Sequence, residues 1–175
     1  TSILIPKSKI KTTDGFGTIP DGFAVDLSSR TWYVVEVELL HHNVWKHIAP
    51  QVSKQLTAVR RPDIGKLLTE KVIELISESE DIKDKFYDEK IKDIHIHSIL
   101  IDIFTKPPII GIPIDAVSQD LKEWVETLKN DTRLWIVRKF EDYDNPDVIA
   151  YQIPEEFRPV VDTADREDPE KAKLI

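Results

Sequence analysis

Hydrophobic and polar positions divide this chain into segments of two periods. Phe23–Leu27 and Thr31–Leu40 are rich in β-branched and aromatic residues, with Ser28-Ser29-Arg30 between them. They predict a β-hairpin. The second strand alternates, with Val35, Val37 and Leu39 expected on one face and Glu36 and Glu38 on the other. Ser2–Pro6 reads as a short edge strand, and 12–20 as a Gly- and Thr-rich loop. From Asn43 the period becomes helical, through Val44, Ile48, Val52, Leu56 and Val59. Pro50 either kinks that helix or sits in its first turn, with the start near Ala49.

Pro62 opens a second helix with Ile64, Leu67, Leu68, Leu75 and Ile76 inward, and the charged stretch 79–93 predicts a solvated third. Ser98–Phe104 is nearly continuous apolar sequence and is expected to be a buried central strand, ended by Lys106-Pro107-Pro108. Ile109–Ile114 would return as a short edge strand, and Asp115 would cap a helix over 116–129 with Val117, Leu121, Trp124, Val125 and Leu128 inward. Leu134–Phe140 and Val148–Ile153 predict two more strands. The fold class is therefore α/β, a mixed central β-sheet flanked by helices. The expected organisation is one domain over 1–153: a core hairpin and helix at 19–60, a helical insertion at 62–94, and later core at 95–153. Residues 154–175 read as a charged, loosely ordered tail.

Hairpin pairing suggests chemistry. With a turn centred on Ser29, position 21 lies opposite position 37, so Asp21 falls beside Glu36 and Glu38. Cross-strand neighbours have Cβ atoms about 4.5–5.5 Å apart. Three carboxylates that close repel, and a divalent cation is the simplest means of neutralising them. Asp26 would pair near Thr31 or Trp32, away from the two glutamates.

Composition narrows the setting. Among 175 residues, 32 Asp and Glu against 24 Lys and Arg leave a net charge of −8, which argues against whole-surface DNA binding but allows a local basic patch. Lys7, Lys9 and Lys11 form such a patch ahead of the loop leading to Asp21, and are the DNA-facing candidates. There is no cysteine, which excludes disulfides and thiol nucleophiles. No apolar run approaches the ~20 residues of a membrane span, and Thr1–Ile5 lacks the pattern of a signal peptide. Cytoplasmic residence is the expectation. Thr1 in place of an initiator Met is compatible with a processed product or a fragment. Of the five histidines, His95 and His97 are expected to share one strand face and His42 and His47 lie near the helix start; all read mainly as surface residues, with a histidine metal site, which needs three or four converging ligands, as the lesser alternative and His41 or His42 adjacent to any substrate. Trp32, Trp45, Trp124 and Trp135 read as core, and Arg60, Arg61 and Lys66 as cations at a helix junction.

Pro20-Asp21, fourteen intervening residues, then Glu36-Val37-Glu38 on an apolar strand followed by an amphipathic helix, resembles the PD-(D/E)xK nuclease superfamily. The resemblance covers 19–59 well and 95–140 loosely. It implies a restriction endonuclease-like α-β-β-β-α-β core and Mg²⁺- or Mn²⁺-dependent phosphodiester hydrolysis, with DNA as the partner. Asp21, Glu36 and the Val37 carbonyl would hold the metal, and Glu38 would orient or deprotonate the attacking water or bind a second ion. Glu38 stands where the family has Lys, and Lys54 on the next helix is the candidate substitute. Gln51, one turn from Gln55, matches a glutamine that RecB-type members carry beside the site. The family's further acid, from a helix ahead of the hairpin, has only Asp14 as a stand-in. The implied assembly is a homodimer or a subunit of a larger nucleic-acid-processing complex. A nuclease-fold module without activity, serving protein interaction or assembly, is the alternative, and an unrelated α/β binding domain a third.

Overall fold

In the computed structural model, residues 1–11, 15 and 17–159 are described. Their regular elements are β1 (Ser2–Pro6), β2 (Ile10–Lys11), β3 (Gly17–Thr18), β4 (Gly22–Asp26), β5 (Thr31–Val35), a π-helical turn (Val44–Ile48), α1 (Ala49–Val59), α2 (Pro62–Glu78), α3 (Glu80–Asp88), α4 (Asp93–Thr105), β6 (Ile109–Ile114), α5 (Gln119–Glu126), β7 (Thr132–Glu141) and β8 (Ile149–Phe157). The main sheet is mixed, in the order β1-β4-β5-β6-β7-β8, and β2 and β3 form a separate ribbon. Pairing is antiparallel except where β6 runs parallel to both β5 and β7.

The β4–β5 hairpin closes on Asp26. Its Oδ1 accepts the Ser28 N–H at 3.0 Å and its Oδ2 the Ser29 hydroxyl at 2.7 Å, the short-range capping that makes Asp a turn residue. Arg30 completes the turn at φ 54. Four residues, 27–30, separate the paired Asp26 and Thr31, and Gly22 lies opposite Val35. Extending this register sets Asp21 opposite Glu36, one place from the expected partner Val37.

Alternation along the strands defines the core. Ile3 and Ile5, Phe23 and Val25, Trp32 and Val34 lie across from one another and are all buried. They pack with Ala58 and Val59 of α1, Leu68 and Val72 of α2, and Leu100 and Ile103 of α4. Ile110, Ile112, Ile114 and Leu134 continue the same face under the π-turn, α1 and α5.

Three expectations need correction. Ser98–Phe104 is not a strand but part of helix α4. Ile96, Leu100, Ile103 and Phe104 are buried at helical spacing, while Ile94 is 82% exposed. A short apolar run does not by its periodicity separate a buried strand from a buried helix. Ile109–Ile114 is central rather than an edge, since it is paired on both sides. Its Gly111 admits the Trp135 ring, from which a Cβ would stand only 2.5 Å. Finally, the cap of α5 is Ser118, whose Oγ accepts the Leu121 N–H at 3.1 Å. Asp115 instead accepts the Leu40 N–H at 2.6 Å, tying the segment after β5 to the end of β6.

Elsewhere the outline follows the pattern. Pro50 sits in the first turn of α1 and Pro62 opens α2. β8 reaches Phe157, so the first residues assigned to a tail are strand, and 160–175 lie outside the described residues, as does Asp14. No helix among the described residues is long and apolar enough to cross a membrane.

Gly111→Ala is expected to destabilise the fold by about 1–3 kcal/mol through overpacking. Adding Trp135→Phe should recover part of the loss. Urea unfolding of both variants checks this, and an unchanged midpoint for Gly111→Ala would contradict the packing.

Candidate metal centre

Regular pairing of β5 ends at Val35, yet the backbone stays on β6. The Glu36 N–H donates to the Gly111 carbonyl at 3.0 Å and the Glu38 N–H to that of Pro113 at 2.9 Å. The two-residue period then places Glu36 and Glu38 on the face of Trp32 and Val34, beneath the helices. Both are almost fully buried, at 3% and 2% exposure, while Val37 and Leu39 are exposed. The expected alternation holds, but the glutamates occupy the inner side.

Glu36 is accommodated by donors. Gln51 and Gln55, one turn apart on α1, each give a side-chain N–H to one of its oxygens, Gln55 at 2.6 Å. Burial pushes the Glu36 carboxyl up to about 7; the Gln55 bond and a backbone bond from Asp21 hold it down, and repulsion from Asp21 and Glu38 adds to the rise. Asp21 lies at the mouth, where its Oδ2 accepts the Val37 N–H at 3.1 Å and its Oδ1 faces the Lys7 ammonium at 3.6 Å.

Glu38 has different company. Its Oε2 meets Nδ1 of His42 at 2.5 Å and Nε2 of His47 at 3.8 Å. Its Oε1 is buried without a hydrogen-bond partner, which is costly for a carboxylate oxygen. Asn43 accepts the Lys46 N–H at 2.8 Å and starts the π-turn that brings His47 back over Glu38. The donor atoms of Glu38, His42 and His47 lie within 4.8 Å of one another, close enough to hold one metal ion.

Asp21, Glu36, Glu38 and Gln51 thus converge, joined by Lys7. Lys54 is exposed and forms no ion pair with these carboxylates. Lys9 and Lys11 are exposed and pair with none of them either. His47 is exposed, as expected, and His42 is half-buried, and both turn to Glu38. Their spacing from Glu38 was visible, but their convergence depends on the π-turn. His95 and His97, assigned to a strand face, lie on α4. Trp45, expected in the core, is 55% exposed on the π-turn.

A separate pocket lies elsewhere, lined by Trp32, Arg60, Lys66, Phe104, Lys106 and Lys129 among others. Concavity favours that pocket, but convergent polar groups favour the carboxylates, and chemistry needs the latter. Comparison with known proteins returned no match to a family model, a curated protein or a solved structure.

In metal-free protein, the raised Glu36 carboxyl makes a pH-dependent contribution to stability. A carboxyl near 4.5 unfolded and about 7 folded favours folding below that interval, and the contribution is lost as pH rises through it. Glu36→Gln is expected to flatten this decline, so that its advantage over wild type grows across the interval. Thermal unfolding in chelator over a pH series measures it; parallel curves would show that Glu36 is not responsible.

Proposed function

We propose that this chain is a metal-dependent nuclease of the PD-(D/E)xK type, hydrolysing phosphodiester bonds in DNA. The observation carrying the proposal is Glu36, buried between two glutamine donors and beside Asp21 at the mouth of the site. The strand order supports it. An antiparallel β1-β4-β5 meander, then helix, then β6 parallel beside β5 follows the family's β-β-β-α-β succession, with α2–α4 as the insertion. This is a restriction endonuclease-like reading of the mixed sheet.

The donor set fits a hard cation. Asp21 and Glu36 offer carboxylate oxygens side by side, and their mutual repulsion is relieved by positive charge. Bound there with the Val37 carbonyl, Mg²⁺ or Mn²⁺ would polarise a phosphoryl oxygen and lower the pKa of a bound water. Gln51 and Gln55 fix the orientation of Glu36, acting as positioning residues. Glu38, held by the backbone of β6, borders the same space. Lys7, with Lys9 and Lys11 on the same arm, supplies positive charge toward the phosphates in an otherwise acidic protein. Exposed Trp45 offers a stacking face for a base.

A second reading is a nuclease-fold module that serves assembly without activity. The outer part of β7–β8 favours it, because Phe140, Ile149, Tyr151 and Ile153 are all exposed there. Exposed apolar groups in number mark interaction surfaces.

Wild type is expected to nick plasmid or cut single-stranded or branched DNA in Mg²⁺ or Mn²⁺. Asp21→Ala and Glu36→Ala should fall to background, and Gln51→Ala by about 10–100-fold, as for groups that orient a ligand. Equal residual cutting by wild type, Asp21→Ala and Glu36→Ala would remove the enzyme and leave the assembly module.

A further inference from the structure

We propose that Glu38, His42 and His47 form a binding site for a borderline transition-metal cation of the Zn²⁺ class. This goes beyond the nuclease proposal and stands without it. The site is built like a cup. Glu38 is at the bottom, its side chain 1% exposed, His42 on the wall at 31%, and His47 at the rim at 52%.

Each ligand is held by its own backbone. Glu38 is bonded to Pro113 of β6, His42 donates its N–H to the Leu39 carbonyl at 2.9 Å, and His47 its N–H to the Asn43 carbonyl at 2.9 Å. Val44 and Ile48, the first and last residues of the π-turn, are buried and anchor it to the core. Such pre-positioning is what a metal site requires.

A hydrogen bond between Glu38 and His42 does not account for the whole arrangement. It leaves His47 Nε2 directed at the same oxygen from 3.8 Å, and it leaves Glu38 Oε1 buried with no partner. A cation between the three groups engages His47 Nε2 together with Oε2, and reaches Oε1 as well where the carboxylate binds through both oxygens. Bonds of about 2.0–2.2 Å from imidazole nitrogen and carboxylate oxygen to one ion require the 2.5 Å contact between His42 and Glu38 to open as the ion replaces their shared proton, and the half-exposed His47 to rotate inward.

The ligand types select the metal. Two imidazoles and one carboxylate suit Zn²⁺ and its neighbours, whereas Mg²⁺ and Ca²⁺ prefer oxygen alone. Three protein ligands leave a coordination position free, the pattern of catalytic rather than structural zinc sites. Glu36, two residues from Glu38 on the same face, places the Asp21–Glu36 oxygens next door.

The test uses the full chain, stripped with chelator. Zn²⁺ is titrated calorimetrically, and Co²⁺ is followed by its visible absorption as a spectroscopic probe. Wild type should bind one equivalent, with Mg²⁺ in large excess failing to displace it. Glu38→Gln, His42→Ala and His47→Ala should each lose saturable binding, while His95→Ala and His97→Ala on α4 should retain it. His47 is half-exposed, so its variant is expected to fold even if the other two do not. No binding by wild type, or unchanged binding by His47→Ala, would overturn the assignment. Asp21→Ala separates the two proposals. Zn²⁺ binding without any Mg²⁺-dependent cleavage sinks the nuclease alone, and Asp21-dependent cleavage without Zn²⁺ binding sinks this site alone.

Discussion

The chain past Val35 remains hydrogen-bonded to β6, and the candidate centre depends on that continuation. Glu36 and Glu38 each give a backbone N–H to a β6 carbonyl, so their side chains cannot turn to solvent without breaking the ladder. Two carboxylates are thereby held in the core, where an ionised group is unfavourable unless donors or opposite charge surround it. Gln51 and Gln55 answer this for Glu36, and His42 and His47 for one oxygen of Glu38. The remaining oxygen of Glu38 is unanswered.

This constraint also explains the neighbouring elements. α1 must begin close to the sheet and present its glutamines inward, which the π-turn and Pro50 at its start allow. β6 must be central, because it supports the glutamates from one side and pairs with β7 on the other. Asp115, at the end of β6, holds Leu40 and limits the path of the segment that carries His41 and His42. The acidic composition and the local chemistry are compatible for the same reason. Carboxylates gathered in one place lower affinity for phosphate until a cation joins them, and among the described residues Lys7 is the lysine set against Asp21.

Much of the site was legible from spacing alone. Alternation through Glu36-Val37-Glu38, the Asp21 strand before it, and the i, i+4 pair Gln51 and Gln55 were readable because local periodicity is a property of the backbone. Other features were not. Hairpin register depended on a four-residue turn held by Asp26, and moved Asp21 by one position. The apolar run at 98–104 carries Ile, Leu and Phe in an order that either a buried strand or a buried helix satisfies. Lys54 looked like a substitute lysine on sequence, but its helical position puts it in solvent.

Residue order alone sets which residues share a face, that a helix opens at Pro62, and which acids gather at the hairpin. These follow from the periods of strand and helix and from proline's missing N–H. Packing between elements fixes which side of the β5 extension is inside, because alternation marks two faces without saying which one a helix will cover. It also decided that β6 is central and that His42 and His47 close on Glu38. Those outcomes arise from contacts between elements distant along the chain, and from a single π-turn whose geometry no local pattern encodes.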